Sequence, residues 1–142
     1  DTLRVLPLHG RPKAVNVKTM VYPGFPTDLQ QPFSTLLTVA NGTSMITETI
    51  FEQRYRHLDE LRRMGANVDY SDRVAIITGV NKLTGTAVEA LDLRGGAALI
   101  VAGLMAEGTT SISGVHYIDR GYEDIVKKLK TLGADIERIQ VN

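Results

Sequence analysis

Two copies of one pattern lie along this chain. Set GTSMITETIFEQR (residues 42–54) above GTTSISGVHYIDR (108–120), and Gly42, Thr43, Ile46 and Arg54 fall on Gly108, Thr109, Ile112 and Arg120. Set LDELRRMGANV (58–68) above VKKLKTLGADI (126–136), and Leu61, Gly65 and Ala66 fall on Leu129, Gly133 and Ala134. Upstream, Asp28 and Leu29 fall on Asp92 and Leu93. Short insertions account for the slight drift in spacing, and identities in this collinear order mark an internal repeat.

Each copy predicts the same succession of elements. A helix (about 28–40, then 93–106) stops at a glycine suited to the left-handed position after a helix. A strand follows, TSMITETI or TTSISGV, rich in β-branched residues. Leu58, Leu61 and Met64, and in the second copy Ile125, Val126, Leu129 and Leu132, then fall at helical spacing. Gly65 or Gly133 stops that short helix, and a strand closes the copy near 67–70 or 135–140. The first copy adds strands at VAIIT (74–78) and near 86–90, while 3–6 and 14–20 read as strands left from a preceding unit. The alternation predicts a layered α/β fold made of a partial unit (1–22) and two full units (23–80 and 81–142).

A length of 142 residues at 43% hydrophobic content suits one domain with a real core. Sixteen basic residues balance sixteen acidic ones, which argues against bulk nucleic-acid binding. There is no cysteine, so disulfides, thiolate metal sites and a cysteine nucleophile are excluded within the chain. His9, His57 and His116 have no metal-binding spacing, and neither GRP (10–12) nor RGG (94–96) matches a phosphate-loop fingerprint. No apolar run approaches a membrane span, so a cytoplasmic domain is the simplest expectation. The first residue is Asp1 rather than Met, so a chain cut from something longer is expected.

The repeat also sets polar residues at matching places. YPGFPTDLQ (22–30) stiffens the backbone with Pro23 and Pro26 just ahead of Asp28. Read locally, Thr27 or Asp28 caps a helix, and Asp92 stands at the same place in the second copy. Arg54 and Arg120 stand between a strand and the shorter helix, and Arg94 lies in the first turn after Asp92. Such junctions gather along one edge of a layered domain, where helix N-termini and arginine forks favour phosphate or carboxylate. The structural alternative pairs Arg54 with Glu52 and Arg120 with Asp119 as surface bridges. Asp59–Arg63 and Asp124–Lys128 offer i,i+4 pairs on the short helices.

Four motifs in order carry a resemblance to a known family: YPGFPTDLQQP, ETIFEQRYRHLDELRRMGA, LDLRGGAALIVAGLMAEGTT and HYIDRGYEDIVKKLKTLGADIERI. They resemble the enolpyruvyl transferases, in the branch that acts on UDP-N-acetylglucosamine, from about Pro23 to Arg138. The resemblance implies an inside-out α/β barrel fold of repeated units, with helices enclosed by sheets. It places this chain at the C-terminal end of the C-terminal domain, without the N-terminal domain that carries a loop cysteine and further cations. It implies transfer of the enolpyruvyl group of phosphoenolpyruvate to the C3 hydroxyl of the sugar at the start of peptidoglycan synthesis, with no metal or cofactor. By the same resemblance Asp28 contacts that hydroxyl as the proposed base, and the backbone of Ile50 contacts the sugar. Arg54 lies near the reacting centre, Arg120 binds phosphoenolpyruvate, and Arg94 and Asp92 belong to the active site. The expected partners are UDP-N-acetylglucosamine, phosphoenolpyruvate and the missing N-terminal domain, with no nucleic acid or membrane. A shikimate-pathway relative and a catalytically silent domain of the same fold are the alternatives. The isolated chain is expected to be inactive.

Overall fold

The structure is a computed structural model and describes residues 1–140. Its order is β1 (Val17–Lys18), a 3₁₀ turn (Thr27–Leu29), α1 (Gln30–Leu37), β2 (Thr43–Thr47), α2 (Arg56–Arg63), β3 (Asn67–Ser71) and β4 (Val74–Thr78). There follow β5 (Ala87–Glu89), α3 (Leu93–Met105), β6 (Ser111–Ser113), α4 (His116–Asp119) and α5 (Ile125–Thr131).

The repeat is visible in the strand pairing. β1 pairs in parallel with β2, matching Val17 to Ile46, and β5 pairs in parallel with β6, matching Val88 to Ile112. Each pair therefore encloses one long helix as a β–α–β crossover. The first copy widens its sheet with the antiparallel hairpin β3–β4, in the order β1-β2-β4-β3. All four helix-stopping glycines adopt positive φ: Gly42 at 112°, Gly65 at 90°, Gly108 at 87° and Gly133 at 92°. Without a Cβ that conformation costs little.

α1, α2 and α3 pack inside, against one another and the inner faces of the strands. α1 lies along α3, and α2 packs on α3 and β3. α3 is suited to a crowded centre because its buried face is Gly95, Gly96, Ala98, Leu99, Ile100 and Ala102. A Cβ added at Gly96 would lie 2.5 Å from Ile118 Cγ1, so only glycine lets α4 approach this closely. α2 shows the expected amphipathic pattern, burying Leu58, Leu61 and Met64 beneath exposed Arg62 and Arg63. These join Ile46, Tyr55, Ile77, Leu83 and Leu99 in one core. β2 alternates, burying Ser44 and Ile46 and exposing Met45. Among the described residues, no helix is long and apolar enough to cross a membrane.

Three expectations differ from the structure. No strand forms at 135–140 in the described part, 135 to 140, which has no regular secondary structure. In the first copy the matching strand β3 is held by β4. Residues 3–6 form no strand, and Leu3 and Val5 are 91% and 85% exposed. The expected i,i+4 pairs are replaced by Asp59–Arg62 and Glu60–Arg63 at i,i+3, and Lys128 pairs with Glu123.

Candidate active site

The turn around Asp28 is not a helix cap. Asp28 lies inside the 3₁₀ turn, α1 begins two residues later at Gln30, and neither helix start receives a side-chain cap. The Thr27 hydroxyl, the other capping candidate, donates to Glu48 Oε2 at 2.9 Å. Local sequence suggested a cap because a small polar residue stands before an apolar run. The rigid segment instead delivers the carboxylate outward, toward arginines from two other junctions.

Arg94 Nε lies 2.6 Å from Asp28 Oδ1, and Arg54 Nη1 lies 3.6 Å from the same oxygen. The Arg94 guanidinium holds the Asp28 carboxyl below the usual carboxylate range, with the Arg54 charge adding to the effect against a small desolvation cost. Asp28 is 60% exposed and Arg94 34%, whereas Arg54 is only 16% exposed. The Arg54 guanidinium sits 4.0 Å above the centre of the Phe51 ring, which restricts it to this face. Its Nη1 is buried without a hydrogen bond among the described residues.

Asp92, the repeat equivalent of Asp28, is a true cap. Its Oδ1 accepts from the N–H groups of Arg94 and Gly95 at 2.9 and 2.8 Å. That bond fixes the first turn of α3 and hence the root of Arg94. Gln31 links the two halves, its Nε2 lying 3.2 Å from the Arg54 carbonyl and 3.4 Å from Asp92 Oδ2. Deeper in, His57 Nε2 and Ser34 Oγ are 2.6 Å apart between α2 and α1. Burial pushes the His57 ring down to about 4, against the opposing pull of the Asp92 charge. The adjoining Tyr55 hydroxyl lies 3.0 Å from the carbonyls of both Ile46 and Arg73, and burial pushes it up to about 12, so it stays a donor.

The structure thus joins Asp28, Arg54 and Arg94 directly, with Asp92 linked to them through Gln31. Ile50 stands on the loop that leads to Arg54, 37% exposed, its N–H held by Glu48 Oε1 at 2.9 Å. Arg120 is exposed, and its side chain makes no ion pair or hydrogen bond among the described residues. Its neighbour Gly121 packs so closely on Leu93 that a Cβ would lie 2.8 Å from Leu93 Cδ2, which sets this turn beside the start of α3. Both bridges of the structural alternative are absent: Glu52 pairs with Arg73 at 3.3 Å, and Asp119 with Arg138 at 2.6 Å.

Sequence reasoning missed Glu48, Phe51 and Gln31. Glu48 was legible in principle, because the alternation that buries Ser44 and Ile46 points the next inward side chain at residue 48. A cavity of about 360 Å³ lined by Glu52, Gln53, Tyr55, Arg56, Tyr70 and Asp72 shares no residue with the Asp28 cluster. Asp28, with its side chain 60% exposed, sets the cluster on an open edge.

The chain is 64% identical over 126 residues to UDP-N-acetylglucosamine 1-carboxyvinyltransferase 2 of Geobacillus kaustophilus, covering 89% of this chain and 29% of that protein. It is 58% identical over 130 residues to UDP-N-acetylglucosamine 1-carboxyvinyltransferase of Clostridium botulinum, covering 92% of this chain and 31% of that protein. The chain therefore spans about 30% of the length of the curated relatives it matches. Among solved structures, the enolpyruvyl transferase NikO from Streptomyces tendae superposes with a TM-score of 0.83 at 33% identity, over 91% of this chain and 30% of that one. EPSP synthase from Acinetobacter baumannii shares the fold, with a TM-score of 0.63 at 23% identity over 80% of this chain and 27% of that one. The profile of the EPSP synthase (3-phosphoshikimate 1-carboxyvinyltransferase) family matches residues 1–129, and the chain belongs to that family of enolpyruvyl transferases.

Proposed function

We propose that this chain is the C-terminal portion of an enzyme that transfers the enolpyruvyl group of phosphoenolpyruvate to the C3 hydroxyl of UDP-N-acetylglucosamine. The observation that carries the reading is one exposed carboxylate, Asp28, held between the guanidiniums of Arg94 and Arg54 on an open edge. Identity of 64% to a transferase named for that nucleotide sugar supports UDP-N-acetylglucosamine as the acceptor. In this reading the hydroxyl oxygen bonds to C2 of the enol while C3 gains a proton from a general acid, and the tetrahedral adduct then loses phosphate from C2 and a proton from C3, which restores the enol double bond. Asp28 orients the hydroxyl and receives its proton, while Arg54, Arg94 and Arg120 hold the phosphate and carboxylate charge. Asp92 acts through the first turn of α3, setting the position of Arg94. The Ile50 backbone lines the sugar.

Asp28 has a lowered pKa in the resting pair, which makes it a weak base. An incoming phosphate competes for Arg94, and once that guanidinium turns to the new anion the carboxylate recovers basicity. The open edge fits a site closed by a second domain elsewhere in the same enzyme, which we place N-terminal to this segment. The reaction would serve peptidoglycan synthesis in the bacterial cytoplasm.

Acceptor choice tests this reading. Full-length enzyme carrying this segment is expected to release phosphate from phosphoenolpyruvate with UDP-N-acetylglucosamine and not with 3-phosphoshikimate. The reverse preference would assign the chain to the shikimate branch. Release with neither acceptor would make it a silent domain of the fold.

A further inference from the structure

Glu48 is 1% exposed, and no lysine or arginine pairs with it among the described residues. Neutral donors surround it instead. Its Oε1 accepts from the Thr19 hydroxyl at 2.8 Å, the Ile50 N–H at 2.9 Å and the Phe51 N–H at 3.2 Å. Its Oε2 accepts from the Thr27 hydroxyl at 2.9 Å. Thr19, fully buried, in turn accepts from the Thr49 N–H at 2.8 Å and receives the Thr49 hydroxyl on its carbonyl.

Burying a carboxylate without a cation is costly, and an apolar side chain in its place often serves stability as well or better. The return is geometric. The donors come from three separate pieces of chain: the end of β1, the turn that bears Asp28, and the loop from Ile50 to Arg54. Phe51, held by its N–H, is the ring beneath Arg54. Thr27 is the residue immediately before Asp28 in the same 3₁₀ turn. One side chain therefore fixes the spacing between the carboxylate and the loop that faces it.

We propose that Glu48 and Thr27 are positioning residues for enolpyruvyl transfer, locking the Asp28 turn to the Ile50–Arg54 loop. This rests on the function proposed above, and the test separates the two. In the full-length enzyme, Thr27→Val removes one hydroxyl while leaving Glu48 its three other donors, and Thr27→Ser keeps the bond. Thr27→Val is expected to lower kcat by about tenfold to a hundredfold, the cost of a small misplacement at a reacting centre. The KM for phosphoenolpyruvate and the melting temperature should stay near wild type, and Thr27→Ser should recover most of the loss. Glu48→Gln, where it folds, should reproduce the kcat defect. Wild-type kcat in Thr27→Val, failure of Thr27→Ser to rescue, or a loss that merely follows melting temperature would overturn the proposal. Asp28→Asn measured alongside distinguishes the failures. A crippled Asp28→Asn with a normal Thr27→Val overturns the positioning role alone, and normal rates in both overturn the positioning role and the function it rests on.

Discussion

Asp28 owes its setting to residues far from it in sequence, and this decides what each partner does. Its ion pair with Arg94 lowers its folded pKa, so the pair adds stability above the ordinary carboxylate range and loses it as pH falls through the lowered value. With Asp28 60% exposed, that contribution is at most about 1 kcal/mol. Arg94→Gln should move the Asp28 titration midpoint upward, read by carboxyl-carbon NMR in the full-length enzyme, and an unmoved midpoint would contradict the pairing. Arg120 makes no ion pair among the described residues, so Arg120→Lys should change stability by no more than about 0.5 kcal/mol. Losing its planar fork should nonetheless weaken use of phosphoenolpyruvate by roughly 1.5–3 kcal/mol. A variant that melts early yet keeps its kinetic constants would return Arg120 to a structural role. The prolines ahead of Asp28 marked the position as special, but local sequence read it as a cap. Its arginine partners come from other junctions, and no local pattern displays them.

Elements carry the repeat, and their stops and periodicity were the legible part. The four glycines end helices where expected because a left-handed residue is a local requirement. The missing strand at 135–140 was not legible, because a strand needs a partner, and the partner that holds β3 in the first copy, β4, lies outside the local pattern. Between α1 and α2, His57 is neutral by burial, a fact the sequence hides behind an ordinary helix start. Its folded pKa of about 4 lies below the ordinary value of 6.5, so the folded state binds fewer protons than the unfolded one between those values. Stability is then full above pH 6.5 and falls as pH drops toward 4, by about 3 kcal/mol at most. Urea unfolding at pH 7 and pH 4.5 should show this loss, and His57→Gln should flatten it. An equal pH slope in both proteins would show that His57 takes up its proton alike in the folded and unfolded states and plays no part.

At the scale of the whole molecule, apolar side chains and the Asp28 edge are both left open. Leu3, Val5, Leu6 and Leu8 are 64–91% exposed, and Val21 and Tyr22 lie at 74% and 96%. Such surface calls for cover. The chain by itself is expected to self-associate and to turn over neither substrate, and a monodisperse, cooperatively unfolding monomer by light scattering and denaturation would contradict this. The central claim is that Asp28, on this open edge, is the group that handles the acceptor hydroxyl. Steady-state phosphate release by the full-length enzyme and its Asp28→Asn variant, with nucleotide-sugar affinity measured on both, tests it most directly. The amide keeps the shape of the side chain and cannot take up a proton at neutral pH. The account predicts turnover lower by ~10²–10⁴-fold with UDP-N-acetylglucosamine affinity nearly intact. Near-normal turnover in Asp28→Asn would contradict it.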